Sequence, residues 1–150
     1  MNHSLEGDMS NLSYENMFRL EKIPKEKSFE CESKTVRDLK ASIDYICTKS
    51  LERMDHPLSL IEMEQMSGYS RRSLINAFHA RFGCSPCKWQ QSERLRIAQY
   101  LLLTGERNMK IGNLARKLGF SSPSKFCSYY QRMFHETPKQ TQMNVYKSVA

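Results

Sequence analysis

The sequence predicts an all-α protein of about seven helices, arranged as two similar subdomains on either side of one long linker helix. Three observations predict it. Apolar residues recur at steps of three and four, with no convincing strand pattern. Cap residues, often followed by proline, open the predicted helices, and glycines close several of them. The layout of Leu60 to Pro86 is repeated in Ile111 to Pro138.

In chain order, residues 1–34 read as a poorly ordered acidic leader with a short helix around Tyr14 to Leu20. Residues 35–150 form the ordered domain. Thr35, with Asp38 three residues on, caps a first helix along which Val36, Leu39, Ile43, Ile46 and Cys47 recur at helical spacing. A loop from Arg53 to Leu58 follows. Ser59 and Glu62 make a capping box for a short helix ending near Ser67, and Gly68 supplies a turn residue able to take positive φ. Ser70 caps the third helix, where Leu74, Phe78 and Phe82 form one inward stripe before Gly83.

Ser85-Pro86 pairs a cap with proline at the first helical position, where the missing N–H is harmless. The linker helix, 86–103, continues through Trp89, Leu95, Ala98, Leu101 and Leu102 to Gly105. A short helix from about Lys110 to Leu118, the Gly119 turn and a helix opened by Ser122-Pro123 come next. That helix carries Phe126, Tyr130 and Phe134 at steps of four. Thr137, Pro138 and Gln140 open the last helix, toward Val149.

The repeat is the most informative feature. Each copy runs short helix, Gly-aromatic-Ser (Gly68-Tyr69-Ser70 and Gly119-Phe120-Ser121), apolar-striped helix, then Ser/Thr-Pro. The offset is 51 between the glycines but 52 from Leu74 to Phe126 and from Pro86 to Pro138, so one extra residue sits near the start of the second striped helix. A short helix, tight turn and longer helix is the helix-turn-helix layout, whose second helix enters a DNA major groove. The first unit spans about 58–86 and the second about 109–138. An ordinary helical hairpin explains one copy well; two copies in a basic chain favour DNA. A linker about 27 Å long spans most of the ~34 Å between successive major-groove turns.

Charge agrees. The formal net charge is +7, with 4 Lys/Arg against 7 Asp/Glu in 1–33 and 19 against 9 in 34–150. A basic domain with an acidic leader fits a polyanionic partner, although solvated basic surfaces without one are common. No export signal or membrane-length apolar run is present, so a cytoplasmic, nucleoid-associated location is expected, with no membrane partner. Five cysteines at irregular spacing argue for reduced thiols over a disulfide framework. Cys84-Ser85-Pro86-Cys87 has Cys-x-x-Cys spacing, but no second pair or paired-histidine run completes a zinc site, and no metal or cofactor is expected. The four histidines are scattered, and no phosphate loop, nucleophile elbow or carboxylate pair appears, so catalysis is not expected.

The motifs also match a known family. Leu58 to Pro138 resembles the C-terminal DNA-binding domain of AraC/XylS-type bacterial transcription regulators. The resemblance rests on Gly68-Tyr69-Ser70 with Leu74 and Phe78; Phe82-Gly83 with Ser85-Pro86; Arg94-Leu95 with Ala98, Leu101 and Leu102; and Ile111, Ala115, Leu118-Gly119-Phe120, Phe126, Tyr130, Phe134 and Thr137-Pro138. With the first helix it covers roughly Val36 to Tyr146. Two positions depart from the family pattern: Glu64 where alanine is usual, and His135 where glycine is usual. Glu64 either weakens the first unit as an unpaired charge or holds a cation such as Arg71 or Arg72.

Helical projection turns Arg72 and Asn76 away from the Leu74–Phe78 stripe by about 200°. Arg72 suits guanine, Asn76 adenine and Ile75 a thymine methyl, and the resemblance places base readers at these same positions. Ser124, Lys125 and Ser128 occupy the corresponding face of the second unit, a less selective set. Arg71, His79, Arg81, Arg116, Lys117 and Lys139 are the phosphate candidates.

The expected partner is double-stranded DNA, and the resemblance makes activation the commoner mode. The alternative is a protein-interaction module whose hairpins bind a transcription partner such as RNA polymerase without reading DNA. Residues 1–34 are too few for a sensing or dimerising domain. That leaves two alternatives: a stand-alone regulator acting as a monomer on DNA, or part of a longer chain that dimerises through another domain.

Overall fold

The sequence separates short apolar-striped segments by cap and glycine signals, and helices form between them. The computed structural model of the chain describes residues 34–105 and 108–147, the side chains of 34–37 and 146 aside. The expected leader, its helix around Tyr14 to Leu20 and the side chain of Val36 lie outside the described residues. Among the described residues there are seven α-helices and no strand: α1 Lys34–Glu52, α2 Leu60–Ser67, α3 Arg71–Phe82, α4 Pro86–Thr104, α5 Ile111–Lys117, α6 Pro123–Phe134 and α7 Pro138–Lys147. Thr35 lies inside α1, which already includes Lys34, so it is not the cap expected from its pairing with Asp38. A hydroxyl residue near a helix start is a weak marker when helix-forming residues flank it.

The other helix starts follow their local chemistry. Ser59 and Glu62 form the capping box, each side chain accepting the other residue's backbone N–H. The hydroxyls of Ser70, Ser85 and Ser122 accept from the N–H groups of Ser73, Lys88 and Lys125. Thr137 and Gln140 make a second reciprocal box at α7. The extra residue of the second repeat falls in the turn, because the cap moves from Ser70 to Ser122 while the turn glycine moves from Gly68 to Gly119.

Each unit has its own aromatic-rich core. In the first, Ile43 and Ile46 of α1 close over Leu58, Met63, Leu74 and Phe78. Phe78, Phe82 and Trp89 form a ring cluster with centroids 5.3–6.0 Å apart. In the second, Leu114, Ala115, Leu118 and Phe120 are buried with Phe126 and Tyr130. The Tyr130 hydroxyl is satisfied by Thr141 of α7 at 2.8 Å. A side chain such as Phe78 or Phe126, buried completely, contributes roughly 1.5–3 kcal/mol.

Helix α4 packs against α1 and α3 on one side of the molecule and α6 and α7 on the other. Its 19 residues make it about 28 Å long. It is the element common to both units.

Candidate nucleic-acid interface

A residue can read a base only if its side chain is free and faces outward, and the stripe on α3 decides which residues do. Leu74 and Phe78 are fully buried, which leaves Arg72, Asn76 and His79 exposed and Ile75 half-buried at the edge of the same face. The side chains of Arg72 and Asn76 engage no ion pair or hydrogen bond with the described residues. On α6, Phe126 and Tyr130 are buried, and Ser124, Lys125 and Ser128 are exposed. The two outward faces differ in chemistry: a guanidinium, an amide and a branched apolar edge on α3, two hydroxyls and an ammonium on α6.

Arg71 and Arg72 occupy the first turn of α3, which has no acidic residue of its own. Cations there oppose the helix dipole, at a cost of about 0.3–1 kcal/mol each. Glu64 of α2 answers part of this. Its Oε1 accepts the Arg71 backbone N–H at 2.6 Å and its Oε2 lies 3.4 Å from Arg71 Nη2. Of the two alternatives for Glu64, the structure shows the paired one. Glu64 ties α2 to the start of α3 across the turn, a role that the buried Ala115 cannot play in the second unit.

The phosphate candidates differ in their surroundings. Arg81 Nη1 sits 2.7 Å from Asp44 Oδ1 and its guanidinium lies over the Phe82 ring, so its charge fastens the end of α3 to α1. That engagement makes it a structural residue first. His79 is exposed in the last turn of α3, and Arg116 and Lys117 are exposed in the last turn of α5. Cations at helix C-termini are also favoured by the dipole alone. Lys139 stands in the first turn of α7, its Nζ 3.1 Å from Gln142 Oε1.

Neither Cys84 nor Cys47 has the environment of a reactive thiol. Burial pushes the Cys84 thiol up, and it pushes the Cys47 thiol up to about 12, whereas activation requires a lowered value.

Two buried polar residues of α4 join segments from both units: Gln90, which sequence reading passed over, and Arg94, which it named only as part of the family motif and gave no role. They extend the buried row Gln90, Arg94, Ala98, Leu102, at steps of four. A polar pair continuing an apolar helical row was the available signal. Gln90 closes on the backbone of Leu58, accepting its N–H at 3.0 Å and donating to its carbonyl at 2.8 Å. Arg94 Nη1 donates to the carbonyls of Leu118 (3.0 Å) and Gly119 (3.1 Å), and its guanidinium lies 4.6 Å from the Phe120 ring centroid.

The sequence profile of the helix-turn-helix domain family matches residues 63–144. The chain is 39% identical over 66 residues to the virulence regulon transcriptional activator VirF of Yersinia enterocolitica, a match covering 44% of this chain and 24% of that one. It thus spans about a quarter of that relative's length. A transcriptional regulator of Chromobacterium violaceum, described as having an AraC-type DNA-binding domain, superposes with a TM-score of 0.62 at 26% identity, covering 74% of this chain and 94% of that one. The DNA-binding domain of AdpA, solved in complex with a target DNA, superposes with a TM-score of 0.61 at 21% identity, over 71% and 91% of the two chains, and shows the shared fold.

Proposed function

Since the chain belongs to the helix-turn-helix domain family, in its AraC-type branch, we propose that it is a sequence-specific double-stranded DNA-binding transcription regulator. It inserts α3 and α6 into successive major-groove turns. The observation that carries this is the pair of outward faces on equivalent helices, both free of packing, with cations at the helix starts where stability alone would favour acids. A polyanion lying across them removes that penalty.

In this reading α3 is the main reader. Arg72 donates both arms of its guanidinium to guanine, Asn76 pairs with adenine, and Ile75 meets a thymine methyl. Ser124 and Ser128 discriminate poorly, so α6, with Lys125, supplies register and affinity. Arg71, His79, Arg116, Lys117 and Lys139 contact phosphates, and Arg81 contributes only through its field. Because the repeat is internal, one monomer covers an asymmetric stretch of roughly 20 base pairs. The regulator has no catalytic step and acts at the nucleoid in the cytoplasm. The activator named among its relatives supports activation. An activator of this kind would take RNA polymerase as its protein partner.

The test is a titration of labelled duplex at several ionic strengths. With about six to ten phosphate contacts, affinity should fall ~10³-fold or more between 50 and 200 mM salt. A flat response would overturn the proposal and favour a protein-interaction module.

A further inference from the structure

Two recognition helices read DNA together only if their separation and rotational phase match the groove. In this molecule both are referred to adjacent turns of α4. Gln90 holds Leu58, the residue before the cap of α2, and Arg94 one turn later holds the carbonyls that begin the α5–α6 turn. The two sides also touch directly. Gly119 takes φ +70°, and a Cβ there would come within 2.6 Å of the Asp55 carbonyl and 2.7 Å of the Met54 carbonyl, in the loop that leads to Leu58. The loop at 54–58, the turn at 118–120 and residues 90–94 therefore form one joint.

Its chemistry is costly for a purely structural contact. Arg94 is 9% exposed and has no carboxylate partner among the described residues; carbonyl dipoles and an aromatic face compensate its charge. Apolar side chains of similar size often serve stability as well as or better than a buried charge, whereas directional bonds from a planar guanidinium fix geometry. We infer that Gln90 and Arg94 are positioning residues that set the distance and phase between α3 and α6, and thereby the spacing between the two DNA boxes that the protein accepts.

This rests on the proposal that both helices enter DNA, and the experiment separates the two. Duplexes selected from a random pool by the unaltered protein define the two boxes, and variants with one or two base pairs added or removed between them form the series. Each added base pair moves the second box by ~3.4 Å and rotates it by roughly 34°. The unaltered protein should lose at least about tenfold in affinity at two base pairs from the optimum, because simultaneous engagement requires the right geometry.

Arg94→Met and Gln90→Met should flatten that loss to within about threefold and weaken binding at the optimal spacing, while leaving affinity for a duplex holding only the first box unchanged. If Arg94→Met melts below the assay temperature, Arg94→Lys, which keeps the charge but loses the rigid planar guanidinium and its stacking on the Phe120 ring, is measured in its place. A variant as steep in spacing dependence as the unaltered protein overturns the inference, as does an equal loss on the single-box duplex. Indifference of the unaltered protein itself to spacing overturns the two-helix reading, and the inference with it.

Discussion

Replacing Glu64 with alanine should lower stability and raise DNA affinity together. The carboxylate accepts the Arg71 N–H at 2.6 Å, a charge-assisted bond to an otherwise orphan donor in the first turn of α3. Losing a cap of this kind costs about 1 kcal/mol, and losing the favourable charge at the helix start costs another ~0.3–1 kcal/mol. The contact with Arg71 Nη2 is long, and the two side chains are 54% and 30% exposed, so it adds little. The sum is about 1–2 kcal/mol, or a melting temperature roughly 4–8 °C lower for a domain of this size. Glu64→Gln, which keeps an oxygen acceptor, should lose less than the alanine variant. Removing the negative charge also frees Arg71 for phosphate, so both variants should bind duplex more tightly, with a salt slope steeper by up to about one. Thermal melting and salt-series titration of the same preparations measure both effects. A Glu64→Ala protein that melts higher than the unaltered one would refute the cap, and unchanged salt slopes would refute the link to Arg71.

Three further outcomes follow from the same geometry. Arg72→Ala and Asn76→Ala should each cost ~1–3 kcal/mol on the preferred site and relax one or two base positions, measured against a panel of single-base changes; Ser124→Ala or Ser128→Ala altering preference more than these would reverse the assignment of the reader. Burial pushes the Glu93 carboxyl above its ordinary range against the opposing pull of Arg96, so the native state holds the proton more tightly and stability declines as pH rises from the unfolded value through the raised one. Glu93→Gln should therefore melt higher than the unaltered protein at pH 7 and no higher at pH values below the unfolded carboxyl range, and a lower melting point at pH 7 would mean that Arg96 outweighs burial. His135 ends α6 at φ +60°, the one positive-φ residue other than glycine among the described residues. His135→Gly should gain about 1 kcal/mol, since the left-handed conformation costs a side-chain-bearing residue ~1–2 kcal/mol and glycine returns part of this as unfolded-state entropy.

Local signals were enough for the helices and their order. Caps and glycines act within one turn, and a step-of-four stripe reports burial through the helical period alone. Leu74, Phe78, Phe126 and Tyr130 could therefore be placed inside from their spacing, and Arg72, Asn76, Ser124 and Ser128 outside. The repeat made the two-unit architecture legible for the same reason, because each copy carries its own complete set of local instructions.

What the sequence by itself determined, then, was seven short-range elements and the outward residues on two of them. The tertiary structure decided which charges remain available to DNA. Arg81 is engaged by Asp44 from α1, and Arg71 is shared with Glu64 across the turn, contacts spanning 37 and 7 residues of chain. It also decided that Gln90 and Arg94 belong to the joint between the units, through partners 32 and 24 or 25 residues away. Helical periodicity says which way a side chain points along its own axis. It carries no information about which carbonyl or carboxylate another segment brings opposite, and that is settled only when the cores of both units close around α4.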